Sequence, residues 1–165
     1  ESLDEGPVYD VSEVEISDSD NRISLEKKLV AKAKLNIVDV IQKISNGLQP
    51  VPQVDNNVSY CRKITKEDGR INFEETAKEI FNKYRAFSGW PGTYFQYKDT
   101  TIKIHGMRII DLDNNDTPGT IFDVTKDGIH IKVDDSVIVI THIQLPGKKI
   151  INSSDIYNSY RDFFV

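Results

Sequence analysis

The clearest pattern of apolar positions lies between residues 24 and 46. Leu29, Ala33, Ile37, Ile41 and Ile44 recur three and four apart, the spacing that places side chains along one stripe of an α-helix. Ser24 is expected to cap its N-terminus and Gly47 to follow its C-terminus. Ahead of it, residues 8–16 read as a short extended piece, although Val8, Asp10, Ser12, Val14 and Ile16 break strict alternation. Residues 17–21 form a polar loop. After the helix the periodicity stops. Residues 48–59 hold Pro50 and Pro52, and proline fixes φ and pushes its predecessor toward extended backbone. This stretch reads as a semi-rigid linker.

A second helix is expected over residues 75–87, with Ala77, Ile80, Phe81 and Tyr84 on its apolar face. Glu74 and Glu75 lie at its start, where the helix dipole favours anions. Ser88-Gly89-Trp90-Pro91-Gly92 ends it. From there the period shortens to two. Strands are expected over 93–97, 101–112, 120–124, 129–133 and 137–143. Ile102 and Ile104 oppose Lys103 and His105, and Gly106 marks a bulge. Asp113-Asn114-Asn115-Asp116, Lys126-Asp127-Gly128 and Asp134-Asp135 are turn signals. Short strands at this spacing predict a small closed or partly open barrel. A last helix over 154–164 can plug one end. No internal repeat is visible.

Composition narrows the class. With 38% apolar and 28% charged residues among 165, the chain is globular in type. No apolar run reaches the roughly 20 residues of a membrane span, which excludes an integral membrane protein of the helical kind. No basic leader opens the chain. The one cysteine, Cys61, cannot form an internal disulfide, and a cytoplasmic setting fits. It is expected to be a buried, inert thiol. The net charge of −5 is uneven: residues 1–20 carry eight acids and no base, whereas residues 61–110 carry ten bases against six acids. A basic face on an acidic protein is therefore open.

Metal chemistry has little support, because His105, His130 and His142 each stand alone without ligand spacing. No phosphate-binding glycine loop or nucleophile elbow is present. Three segments carry more. Asp4, on a loop closed by Gly6-Pro7, is a carboxylate able to orient a base or carry a proton, though a solvated turn acid has the same appearance. Residues 60–71 pack four bases around Asp68-Gly69, which suits phosphate or an ordinary solvated loop. Trp90, the sole tryptophan, reads first as a packing anchor.

Taken together, these segments resemble the methionyl-tRNA formyltransferase family. The similarity runs through Lys63-Ile64-Thr65-Lys66-Glu67-Asp68-Gly69-Arg70-Ile71, Arg85-Ala86-Phe87 and Trp90-Pro91-Gly92. It continues through Pro118-Gly119-Thr120-Ile121, Gln144-Leu145-Pro146-Gly147-Lys148-Lys149 and Asp155-Ile156-Tyr157-Asn158. Leu3-Asp4-Glu5-Gly6 and the helix over 24–46 resemble the end of the family's catalytic domain. Ser88-Gly89 stands where the family often has Asn-Pro, and Asn72-Phe73 where it usually has Asp-Trp.

The resemblance implies a fold that is mainly β with helices. Residues 1–48 would be the end of a Rossmann-like formyltransferase domain, 49–59 a linker, and 60–165 an OB-like barrel that holds tRNA. It implies 10-formyltetrahydrofolate as formyl donor, initiator methionyl-tRNA as partner, and no metal. Asp4 matches the catalytic Asp; the family's catalytic Asn and His fall upstream of Glu1. Formyl transfer passes through a tetrahedral oxyanion, which the Asn and His stabilise while the Asp orients the His. The 165 residues alone are thus expected not to turn over, and an N-terminal formyltransferase half is an expected partner. The expected tRNA-facing bases are Arg62, Lys63, Lys66, Arg70, Arg85, Lys103, Arg108, Lys148 and Lys149. A sugar N-formyltransferase and a non-catalytic OB-type nucleic-acid module remain as alternatives.

Overall fold

The computed structural model describes residues 4–54, 58–112 and 115–165. The chain divides into two compact units, Glu1–Lys63 and Ile64–Val165.

The first unit is built on one long helix, α1 (Arg22–Ser45). Its N-cap is Asn21, not Ser24. Asn21 accepts from the Ile23 and Ser24 amides, and Ser24 sits three residues on, where its hydroxyl takes the Asn21 N–H at 3.0 Å. This reciprocal arrangement satisfies two amides that a helix start leaves open. Asp20, only 6% exposed, reinforces the same turn: its carboxylate accepts from Ser17 N, Ser24 Oγ and Lys28 Nζ. Gly47 follows the helix with φ +94°, as expected of a C′ glycine. The segment before α1 is extended but forms no strand; Val8 alone pairs with Val51 in an isolated antiparallel bridge. No residue of α1 is buried, and its stripe stays open, with Leu29 at 50% and Ile41 at 55% exposure.

The second unit has the expected mainly β architecture with helices. A single turn at Glu67–Gly69 precedes α2 (Ala77–Ala86). Strands follow as β1 (Thr93–Tyr97), β2 (Thr100–Ile110), β3 (Ile121–Thr125), β4 (Gly128–Lys132), β5 (Val137–Gln144) and β6 (Ile150–Asn152). The closing helix is α3 (Ser153–Phe164). The strands form one antiparallel sheet in the order β1-β2-β5-β4-β3, with β6 on β5. Among the described residues no ladder joins β1 to β3.

β5 is the central strand, and its residues Val137 to Ile140 are buried without a break, the pattern of a strand covered on both faces. With Ile80, Ile102, Ile129, Ile131, Ile156 and Phe164 it fills the core. Each such side chain contributes about 1.5–3 kcal/mol on leaving water. α2 begins later than expected. Thr76 caps it in a box with Glu79, Asp135 Oδ1 accepts from the Ala77 amide at 2.8 Å, and Glu75 turns instead to Lys83 at 2.7 Å. α3 packs on β3 and β4. Its C-terminal carbonyls are taken by Tyr97 Oη, to Phe164 O, and Lys98 Nζ, to Phe163 O.

Gly106 makes the expected bulge and re-phases β2. Ile102 and Ile104 point inward before it, Met107 points inward after it, and Lys103, His105 and Arg108 all face out. A Cβ at Gly106 would meet Thr141 Oγ1 and the His142 ring.

Candidate functional site

The register of three ladders lines up four residues on the outer face of the sheet. Tyr94 on β1 lies opposite Lys103 on β2, Lys103 opposite Gln144 on β5, and Gln144 opposite Ile150 on β6. Directly opposed residues stand roughly 5 Å apart at Cβ, so the phenol, ammonium and amide form one strip. Gln144 stitches it together. Its Oε1 lies 3.2 Å from His105 Nε2, and its Nε2 donates to Lys148 O at 2.9 Å. Lys148 and Lys149, both exposed, occupy the turn between β5 and β6.

Beside this strip, a cleft of about 220 Å³ opens between the end of α2, the Trp90-Pro91-Gly92 turn and the β1–β2 face. Tyr84, Phe87, Pro91, Tyr94, Lys103 and His105 line it. Among the described residues no carboxylate does. The Trp90–Pro91 bond is cis. Tyr84 donates its hydroxyl to His105 O at 3.1 Å, and burial raises its pKa above the usual phenol value. Thr93, 3% exposed, also lines the cleft, and its Oγ1 has no hydrogen-bond partner among the described residues.

The expected basic residues divide. Lys103, Lys148 and Lys149 gather at this end of the sheet. Arg108 lies beyond the bulge, roughly 15 Å along the strand, where Asp127 is 3.8 Å away. Arg70 lines a separate pocket of about 480 Å³ with Glu74, Glu75 and Lys83, a surface of mixed sign. Arg85 donates to Asn82 Oδ1 at 2.8 Å and lies 5.9 Å from the Phe81 ring centroid. Lys66 precedes the Glu67–Gly69 turn. Arg62 and Lys63 are exposed residues of the first unit.

Asp4 is exposed, with φ +62°. Gln53 Nε2 donates to its carbonyl at 2.9 Å and to that of Gly6 at 2.7 Å. Those bonds hold the loop's backbone; its carboxylate has no described partner. Two expectations about single residues are overturned. Cys61 is exposed rather than buried, because it sits in the extended stretch before the second unit's core begins. Trp90 is 50% exposed rather than an anchor, because the turn it occupies is held by Gly69 and Pro91. Among the described residues no group of three metal-ligating side chains comes together, and no helix is long and apolar enough to cross a membrane.

Sequence reasoning missed Tyr84, Tyr94, His105 and Gln144 as neighbours of Lys103. Only the alternation across Thr93-Tyr94-Phe95 pointed to an outward Tyr94.

Residues 63–161 match the family described as formyl transferase, C-terminal domain, so the fold and this outer face are those of a formyltransferase C-terminal domain. The likeness extends beyond that domain. The chain is 36% identical over 161 residues to a methionyl-tRNA formyltransferase of Sulfurihydrogenibium sp. and 37% identical over 158 residues to that of Francisella philomiragia. Those matches cover 96% and 94% of this chain. It belongs to the family of formyl transferase C-terminal domains. The chain spans about half the length of these relatives, 52% and 49% respectively. Among solved structures, HypX from Aquifex aeolicus matches at a TM-score of 0.67 and 17% identity, over 96% of this chain and 29% of that one. A HypX structure in complex with tetrahydrofolic acid matches at 0.52, 18% identity, over 73% of this chain and 22% of that one. At these identities the likeness concerns the fold.

Proposed function

We propose that this chain is the RNA-holding C-terminal part of a methionyl-tRNA formyltransferase, acting on initiator methionyl-tRNA in translation initiation in the cytoplasm. The observation that carries the reading is a cleft with Lys103 and His105 and no carboxylate among its described lining, at the same end of the sheet as the Lys148–Lys149 turn, in a chain whose relatives are named for a tRNA substrate. In this reading the second unit is an OB-like barrel. It binds phosphates through those lysines, with Lys66, Arg70, Arg85 and Arg108 contributing less: a ring lies beside Arg85, an acid beside Arg108, and Arg70 shares its pocket with Glu74 and Glu75.

Asp4 supplies the catalytic carboxylate of the parent enzyme, where it orients a histidine that the family carries upstream of it. Residues 4–7 are exposed and offer no enclosing wall. By themselves they do not fit the formyl donor, which in the family is 10-formyltetrahydrofolate. The apolar stripe of α1 is the surface that an N-terminal formyltransferase half covers.

The test is a titration of the 165-residue chain with initiator methionyl-tRNA across a salt series, beside a formylation assay with 10-formyltetrahydrofolate. Saturable, salt-sensitive binding without turnover is expected. Absence of tRNA binding, or preference for a nucleotide-linked amino sugar, overturns the reading.

A further inference from the structure

The cleft beside Lys103 has features that phosphate binding alone does not require. Three aromatic side chains, Tyr84, Phe87 and Tyr94, line a space of about 220 Å³. That is below the roughly 300–1,000 Å³ of a pocket for a drug-sized ligand, so it accommodates one flat ring system rather than a whole folate. Lys103 stands at its edge, directly across from Tyr94 and with no ion-pair partner among the described residues. His105 stands two residues on, held by Gln144. In a chain of net charge −5, a cleft with aromatic walls, a free ammonium and no carboxylate is complementary to an anion that carries a ring.

We propose that this cleft holds one unpaired nucleotide of the bound RNA. The base stacks against the aromatic wall, and the phosphate on its 5′ or 3′ side meets Lys103. The inference rests on the tRNA reading and adds to it a single-strand subsite distinct from phosphate contacts along a duplex. Every base has a π-face, so stacking of this kind tolerates sequence. Base-paired nucleotides are excluded, because their faces are already stacked inside the helix.

Trp90 makes the test direct. It is the only tryptophan, it is half exposed, and its neighbours Gly89 and Pro91 line the cleft. The full chain is titrated with an oligoadenylate hexamer, with a blunt RNA duplex, with 5-formyltetrahydrofolate and with initiator tRNA, reading Trp90 emission. The hexamer and the tRNA are expected to quench saturably, and the duplex and the folate are not. Tyr94→Leu and Lys103→Ala are each expected to weaken hexamer binding at least about fivefold, while Lys126→Ala, in the exposed turn between β3 and β4, changes it less than about twofold. Lys103→Gln serves should Tyr94→Leu fail to fold by circular dichroism. If tRNA binds but the hexamer does not, or if both cleft variants bind the hexamer as wild type does, the subsite is wrong while the tRNA reading stands. If neither RNA binds, the tRNA reading fails and the subsite with it. Quenching by the folate alone assigns the cleft to another ligand and overturns the proposal.

Discussion

Gly69 lies directly against the main-chain carbonyl of Gly92. A Cβ built at Gly69 would collide with that oxygen and come within 3.5 Å of Pro91 Cγ. The Asp68-Gly69 turn and the Trp90-Pro91-Gly92 turn, well separated along the chain, are therefore one structural piece. One further link holds it: the Ile71 amide donates to Tyr94 O at 2.8 Å, while within the first turn Asp68 Oδ2 accepts from the Thr65 amide at 2.7 Å. The turn delivers Arg70 beside Tyr94 in a parallel bridge and so sets the edge of the strand that forms one wall of the cleft.

Gly69→Ala is expected to destabilise the second unit by about 1–3 kcal/mol, the usual range for forcing extra volume into a packed site. The obstacle is backbone, which cannot swing aside as a side chain can. Thermal unfolding of the variant beside wild type checks this. An unchanged melting temperature would mean that the two turns separate freely.

Much of this arrangement is legible in the residues. Strand β1 occupies the residues its alternation picks out, Gly106 bulges where a lone strand glycine suggests, and Gly47 closes α1. What is not legible depends on three-dimensional register. Tyr94 and Lys103 lie on different strands, and nothing in either segment says that they face each other until β1 and β2 are paired. The short strand β6 is hidden because its residues follow the Gly147-Lys148-Lys149 turn without room for a repeat. Residue type does not decide between Asn21 and Ser24, because both are good caps; the choice turns on which amides each reaches. Residue type also misleads at Cys61, since thiols are usually buried, whereas its neighbours here are extended chain.

Acid should loosen the start of α1 through Asp20. The Lys28 ammonium, the Ser17 amide and the Ser24 hydroxyl hold its carboxyl well below the ordinary value of 3.8. A carboxyl depressed in the folded state contributes stability that is fully present above its unfolded pKa and is lost as pH falls toward the folded one. The helical circular dichroism signal of α1 is thus expected to hold down to about pH 4 and to fall below it. Asp20→Asn should lower the signal at neutral pH and flatten the acid limb. An Asp20 carboxyl titrating near 3.8 by NMR would show that these three bonds do not favour the ionised form.

The open stripe of α1 gives a third expectation. Leu29, Ile37 and Ile41 are each half exposed or more, and apolar surface of this extent binds other apolar surface. The chain on its own should bind a hydrophobic dye and associate with rising concentration. Ile37→Glu with Ile41→Lys should suppress both while leaving the melting of the second unit within about 1 °C, because those side chains contribute nothing to the core around Ile80 and Ile140. Sedimentation velocity across a concentration series decides it, and a wild-type chain that stays monomeric at the highest concentration refutes it.

The last expectation separates lysines that neutralise phosphate from arginines that are already engaged. For a binder that holds RNA by charge, the logarithm of the association constant falls linearly with the logarithm of salt. Each phosphate contact contributes a slope of about 0.7–0.9. Lys103, Lys148 and Lys149 share one end of the sheet, and the turn carrying the last two is tied to the first through Gln144. Replacing all three by Ala should reduce the slope for initiator tRNA by roughly 2–3 and weaken binding most at low salt. Arg108→Ala should reduce it by less than one, because Asp127 lies 3.8 Å from that guanidinium and partly compensates its charge in the free protein. Gln144→Leu supplies the discriminating case. It removes no charge, yet it frees the His105 ring and the Lys148 carbonyl from each other. The salt slope should stay at the wild-type value while affinity drops by a few-fold at every salt concentration. Equal slopes for the triple-lysine variant and for wild type would remove these residues from the interface, and a steeper loss from Arg108→Ala would move the RNA to the far end of β2.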